Sequence, residues 1–139
     1  MDKPALGTIL FVDDEPSLRE IGRTMLSCLG FETIVAANGQ ECLDVVDEMK
    51  NSIDLIILDL VMPGLDGQST LEELRRRNIK VPVVLTTGFS LNDLRGRPDN
   101  LHLAQAVITK PFDMDRLKKV IAQVLPGRFP TSGCRSSSL

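Results

Sequence analysis

The hydrophobic pattern of the chain alternates between two periods. Thr8-Ile9-Leu10-Phe11-Val12 is an unbroken apolar run, and a short run of this kind bounded by turn residues predicts a strand buried on both faces. After Asp13-Asp14-Glu15 and Pro16 the spacing changes, and Leu18, Ile21, Met25, Leu26 and Leu29 recur at helical intervals. Pro16 suits a first helical turn, where its missing N–H would have no partner, and Gly30 stands where a left-handed residue closes a helix. Phe31 to Ala37 predicts a second strand. Asn38, with Glu41 three positions on, is a capping-box variant, and Cys42, Val45, Val46 and Met49 form the inner face of a second helix. The apolar run from Ile53 ends in a single carboxylate, Asp59, and Pro63, Gly64 and Gly67 then break the chain into a turn. Gln68 to Asn78 predicts a third helix with Leu71 and Leu74 inward. Arg75-Arg76-Arg77 falls at its carboxyl end, where cations favour the helix dipole and read as a solvated helix end. Val81 to Leu85 predicts a fourth strand running into Thr86-Thr87-Gly88. Ser90 to Arg97 predicts a short helix cut off by Gly96 and Pro98. Ala106-Val107-Ile108 is a short fifth strand ending at Thr109-Lys110-Pro111, and Asp113 caps a last helix with Leu117, Val120, Ile121, Val124 and Leu125 on one face.

Five repeats of strand then helix predict an α/β domain, a doubly wound five-stranded parallel sheet with right-handed crossovers and helices on both faces. The length of 139 residues suits one core. Residues 1–125 read as the domain, and the Gly/Ser/Pro-rich residues 126–139 as a disordered tail or linker. A net charge of −3 offers no basic face, so nucleic acid is not an expected partner. No apolar run reaches the ~18 residues that span a bilayer, so membrane insertion is not expected. Cys28, Cys42 and Cys134 are odd in number and lack metal-ligand spacing. They read as reduced thiols of a cytoplasmic protein, with Cys28 and Cys42 packed on helical apolar faces.

Parallel strands bring their carboxyl ends to one edge of the sheet, and the chemistry-bearing residues share that edge. Asp13 and Asp14 end the first strand, Asp59 the third, Thr87 the fourth and Lys110 the fifth. If the order is 2-1-3-4-5, an order taken from doubly wound folds in general, strands one and three flank the switch-point crevice where such sheets bind ligands. Each residue taken singly has a structural role available to it. Asp13 and Asp14 could cap a helix, Thr87 could be a turn hydroxyl, and Lys110 a surface charge. Their coincidence at the strand ends is what argues for a site. Three carboxylates in one crevice repel, each pair by about 4 kcal/mol at ~4 Å and an effective dielectric of ~20. Lys110 neutralises one charge; a divalent cation would neutralise two. All-oxygen ligands with no His or Cys at hand favour Mg²⁺ (or Mn²⁺), whose shell is readily shared with phosphate. A carboxylate, a hydroxyl, an ammonium and such a cation make a phosphoryl-transfer site. Asp59, alone on the middle strand, is the candidate nucleophile. Asp13 and Asp14 are the candidate metal holders, with Thr87 and Lys110 the candidate phosphate ligands.

These residues lie in Phe11-Val12-Asp13-Asp14-Glu15, Leu58-Asp59-Leu60-Val61-Met62-Pro63-Gly64-Leu65-Asp66-Gly67, Leu85-Thr86-Thr87-Gly88 and Thr109-Lys110-Pro111-Phe112. Together, over roughly residues 7 to 125, they resemble a response-regulator receiver domain, the phosphoacceptor half of two-component signalling. The resemblance implies a flavodoxin-like (βα)5 fold and transfer of a phosphoryl group from a histidine kinase, or a histidine phosphotransfer protein, to Asp59. It implies Mg²⁺ on Asp13, Asp14, Asp59 and the backbone carbonyl of Val61. It further implies phosphate contacts from Thr87, Gly88 and Lys110, a cis bond before Pro111, and a signalling role that is enzymatic at most in phosphorylating and dephosphorylating itself. Val61 and Phe89 are expected to flank and shield the phosphate.

The chain departs from the family pattern at Val107, where many receivers carry an aromatic switch residue, and at Leu101 to Gln105, where Gly-Ala is usual. The segment from Ser90 to Gln105 is expected to be the most mobile part and the recognition surface for an output protein. His102, the only histidine, reads as a surface residue. Two alternatives carry different chemistry. A haloacid-dehalogenase-like phosphatase would need an Asp two positions after its nucleophile, where Val61 stands, and the reverse chain order of acid pair and nucleophile. A pseudo-receiver would bind partners without phosphorylation. No Gly-x-Gly-x-x-Gly follows the first strand, which sets aside a dinucleotide site. The chain reads either as a free-standing bacterial regulator, monomeric or weakly dimeric, or as part of a membrane-associated hybrid kinase.

Overall fold

Strands β1 (Thr8–Val12), β2 (Glu32–Ala36), β3 (Leu55–Asp59), β4 (Val83–Thr87) and β5 (Ala106–Thr109) pair side by side in the order 2-1-3-4-5, every pair parallel. They belong to a computed structural model that describes residues 6–49, 51–62, 64, 66–88 and 103–127. The described helices are α1 (Pro16–Leu29), α2 (Gly39–Met49), α3 (Gly67–Arg76) and α4 (Met114–Val124). The doubly wound sheet expected from the alternating pattern is therefore the fold.

Alternate side chains of each strand face opposite layers, and the core divides accordingly. Leu10, Ile56, Leu58, Val83 and Leu85 pack with Cys42, Val46, Leu71 and Leu74 under α2 and α3. Ile9, Phe11, Ile57, Val84 and Ile108 pack with Leu26, Leu117 and Ile121 under α1 and α4. α1 lies close because Gly22 has no side chain: a Cβ there would stand 2.6 Å from the Phe11 ring. All five residues of β3 are buried between two neighbouring strands and two helical layers, so Asp59 ends a fully enclosed strand; β4 alongside it is buried just as completely.

Local chemistry accounts for most of the boundaries. α1 ends at Gly30 with φ 106, its N–H donating to the Leu26 and Ser27 carbonyls. At α2, Asn38 Oδ1 accepts from Glu41 N–H at 2.9 Å, and Glu41 Oε1 accepts from Ala37 N–H at 2.7 Å. The reciprocal cap thus closes one residue earlier than a standard box. Asp66 and Asp113 cap α3 and α4 through Ser69 N–H and Arg116 N–H.

Four local expectations are corrected. β4 begins at Val83, two residues later than the apolar run suggested, and extends through Thr87. Pro82 can lend the ladder only its carbonyl, which accepts from Ile56 N–H at 3.0 Å, while the Val81 carbonyl is taken by Arg75. α3 stops at Arg76, because Asn78 takes φ 66 and Ile79 N–H turns back to the Leu74 carbonyl at 3.0 Å. Arg75 is not a solvated helix end but half-buried, as described below. Cys28 is exposed, whereas Cys42 is fully buried, and burial pushes its thiol up to about 12. Thiolates react and thiols do not. A thiol reagent at neutral pH is therefore expected to modify Cys28 in the native protein and Cys42 only after denaturant is added, as read by peptide mass mapping. The short helix expected at Ser90–Arg97, together with Phe89, His102 and the tail from Arg128 onward, lies outside the described residues.

Candidate functional site

The parallel register brings the predicted residues to one edge. Asp59 and Thr86 are partners across β3 and β4, and Thr87 and Thr109 are partners across β4 and β5, so the next residue along β5 is Lys110. Asp13 follows β1 directly. Lys110 Nζ lies 3.0 Å from Asp13 Oδ2 and 3.2 Å from Asp59 Oδ2. Asp13, Asp14 and Asp59 each offer a carboxylate oxygen, and these atoms all lie within 4.8 Å of one another. Asp13 and Asp59 are buried at 1% and 4% exposure, while Asp14 is exposed and opens the cluster to solvent.

Each carboxylate is held by local backbone. Asp13 Oδ1 accepts from Glu15 N–H at 2.9 Å in a tight turn that leads into α1, and its carbonyl accepts from Arg19 Nη1 at 2.8 Å. Asp59 Oδ1 accepts from Val61 N–H at 3.3 Å. Val61 follows the end of β3 and is half exposed. The chain then returns tightly: Leu60 N–H donates to the Thr86 carbonyl at 2.8 Å, and Gly67 N–H donates to the Leu60 carbonyl at 3.0 Å. A Cβ on Gly67 would stand 2.2 Å from the Asp59 carbonyl oxygen, so α3 starts directly on the backbone of the acidic strand end. Thr87 is buried, its carbonyl accepting from Lys110 N–H at 2.7 Å, and Gly88 is exposed beside it. The Lys110–Pro111 peptide bond is cis.

Electrostatics follows from this packing. Burial raises the Asp59 carboxyl above the usual carboxylate range; Lys110 draws it down and the Asp13 charge pushes it up, and the net direction is upward. Burial by itself would lower the Lys110 ammonium, but the hydrogen bond to Asp13 and the charges of Asp59 and Asp13 more than reverse this and leave it raised. Two buried carboxylates and an exposed third around one ammonium leave surplus negative charge. An all-oxygen donor set with that surplus fits a hard divalent cation. A largely apolar cleft of about 400 Å³, floored by Phe11 and Gly22 and walled by Leu18, Met25 and Phe112, opens beside Asp13 and Lys110.

Arg75 was missed in the sequence because a run of three arginines at a helix end looks uniformly solvated. Its Nη1 donates to the Ile79 and Val81 carbonyls at 2.8 and 2.9 Å. Nε and Nη2 share the Leu103 carbonyl at 3.2 and 3.1 Å, and Nη2 reaches Gln105 Oε1 at 3.2 Å. Burial lowers its pKa. Arg76 and Arg77 are exposed and pair with Glu73, Arg77 also with Asp47, which is the solvated arrangement expected of all three.

A doubly wound sheet with an acidic, lysine-closed crevice at its switch point defines the class of protein. Residues 9–122 match the response regulator receiver domain, and the chain belongs to that family. It is 40% identical over 118 residues to "Probable transcriptional regulator ycf27" of Porphyridium aerugineum, covering 84% of this chain and 47% of that protein. It is 28% identical over 124 residues to "Sensor kinase CckA" of Brucella abortus (strain 2308), covering 89% of this chain and 13% of that protein. The chain thus spans about half or less of these curated relatives. Among solved structures it resembles the response regulator TrrA of Thermotoga maritima, in complex with Mg²⁺ and BeF, at 33% identity and a TM-score of 0.75, covering 86% of this chain and 99% of that one. None of the described helices is long and apolar enough to cross a membrane.

Proposed function

We propose that Asp59 is the phosphoacceptor of a His-to-Asp relay. The supporting observation is the convergence of Asp13, Asp14, Asp59 and Lys110 at the carboxyl edge of β1, β3 and β5. One Asp59 carboxylate oxygen attacks the phosphorus of a phosphohistidine, the P–N bond breaks with its electron pair leaving on the imidazole, and an aspartyl phosphate forms. Lys110, already between Asp13 and Asp59, pairs with a non-bridging phosphoryl oxygen. Thr87 and the Gly88 backbone take the others. Asp13, Asp14, Asp59 and the Val61 carbonyl would hold Mg²⁺ (or Mn²⁺), which when bound supplies positive charge against the phosphoryl oxygens. Val61, half exposed beside Asp59, shields the product from water.

The partner is a histidine kinase or a histidine phosphotransfer protein, and the site is cytoplasmic. The relatives include transcriptional regulators as well as a sensor kinase, so the domain serves either as a regulator's input or within a hybrid kinase. The receiver-family match over residues 9–122 favours phosphotransfer over either rival reading, and the convergence of Asp13, Asp14, Asp59 and Lys110 supports it. Incubation with acetyl phosphate and Mg²⁺ is expected to add one phosphoryl group, mapped to Asp59 by borohydride reduction and peptide mass analysis, and EDTA is expected to prevent it. A protein that stays unmodified with Mg²⁺ present would support the pseudo-receiver instead.

A further inference from the structure

β5 is the weakest-held strand at the site. It is four residues long, pairs with β4 alone among the described strands, and has only Ile108 fully buried. Yet it carries Lys110, and a slip of one residue on a strand turns each side chain to the opposite face. A short edge strand needs its register pinned at both ends. At the site end, Lys110 N–H donates to the Thr87 carbonyl. At the far end the ladder is completed by a side chain. Gln105 N–H donates to the Val83 carbonyl at 2.8 Å, and Gln105 Oε1 accepts from Val83 N–H at 2.8 Å. The same Oε1 is held by Arg75, whose guanidinium also grips the Leu103 carbonyl twice and the Ile79 and Val81 carbonyls once each. Those five contacts match the five N–H donors of an arginine fork. They join the end of α3, the approach to β4 and the approach to β5.

We infer that Arg75 and Gln105 are positioning residues for phosphotransfer: their fork sets the register in which β5 enters the sheet, and so holds Lys110 between Asp13 and Asp59. The inference rests on the role proposed for Lys110. Asp59 ends β3, and Asp13 and Asp14 follow β1; the fork touches neither strand. Metal binding and phosphotransfer should therefore respond differently when the fork is lost.

The test compares wild type with Arg75→Met, Arg75→Lys, Gln105→Ala and Gln105→Glu. Phosphorylation by acetyl phosphate at saturating Mg²⁺ is expected to slow by about 10- to 100-fold in Arg75→Met, as for other remote displacements of a catalytic group. Mg²⁺ binding should not weaken, because the three carboxylates keep their places and lose only a competing ammonium. Arg75→Lys should not rescue the rate, since one ammonium cannot span the four acceptors. Gln105→Ala should behave like Arg75→Met, and Gln105→Glu, which keeps an acceptor for both Val83 and Arg75, should retain most of the rate. Amide exchange in Ala106–Lys110 should quicken by about 10-fold or more in Arg75→Met, with β1 and β3 unchanged. That readout is independent of any phosphate chemistry. Uniformly faster exchange across the sheet, or unchanged β5 exchange, would overturn the inference, as would a wild-type phosphorylation rate in Arg75→Met. A wild type that is never phosphorylated would defeat the proposed function while leaving the exchange result to stand or fall separately.

Discussion

Asp59→Asn is expected to abolish the phosphoryl adduct and, in metal-free buffer, to raise the melting temperature. The amide has no carboxylate oxygen to form an acyl phosphate, and losing a nucleophile of this kind costs on the order of 10³-fold or more in rate. The stability gain follows from the sign of the Asp59 shift. Burial, together with the neighbouring Asp13 charge, holds the carboxyl above its ordinary range despite Lys110. A carboxyl raised on folding contributes stability that is fully present below its unfolded value of about 3.9 and is lost as pH climbs through the raised folded value. At neutral pH the ionised side chain therefore disfavours the folded state, and Asn is free of that penalty. Lys110 keeps Asp13 as a partner in the variant. A gain of about 1 kcal/mol would show as ~2–8 °C in Tm for a domain of this size. The difference should vanish below about pH 4 and narrow in Mg²⁺, which binds the wild-type folded state. A lower Tm for Asp59→Asn at neutral pH without metal, or an adduct that persists on the variant, would refute this account.

Gly67→Ala is expected to be the most damaging alanine substitution among the described glycines. The added Cβ would meet the Asp59 carbonyl oxygen at 2.2 Å and Leu60 Cα at 2.7 Å, both backbone atoms of the acidic strand end. A flexible side chain could swing aside, but the end of a fully buried central strand cannot. Overpacking usually costs about 1–3 kcal/mol, and rigid neighbours place this case at about 3 kcal/mol or more, against a total stability of ~5–15 kcal/mol. Gly64→Ala is the control. It has φ 75 but nothing within 4 Å, so only left-handed strain of about 1 kcal/mol is expected. Urea midpoints compare the two variants. Equal losses would mean that α3 does not rest on β3 as described.

The sheet was legible because β1 and β3 are buried on both faces and must be continuously apolar, while α1, α2 and α4 show a helical stripe with a recognisable start. The strand-end residues were legible for the same reason, since polar groups that interrupt apolar runs mark the sheet edge. What failed did so where backbone partners decided the outcome. Nothing in Val81-Pro82 announces that one carbonyl goes to Arg75 and the other to Ile56, which is what delays β4. Asn78 ends α3 through a left-handed turn, which Asn tolerates better than most residues, so the residue that closes the helix read as part of its last turn. Arg75 differs from Arg76 and Arg77 only in the direction helical geometry gives it, and its acceptors include Leu103 and Gln105, distant in the chain. Cys28 and Cys42 looked alike in spacing and differ in burial, because the apolar face of α1 is narrower than its sequence suggested.

The burial of β3 bears on how such a domain can change state. A carboxylate at the end of a fully enclosed strand has little room to recoil when charge is added beside it, so adjustment passes to the periphery. On the Lys110 side of the crevice that periphery is β5, paired with β4 alone among the described strands and tied at its approach by the Arg75 guanidinium.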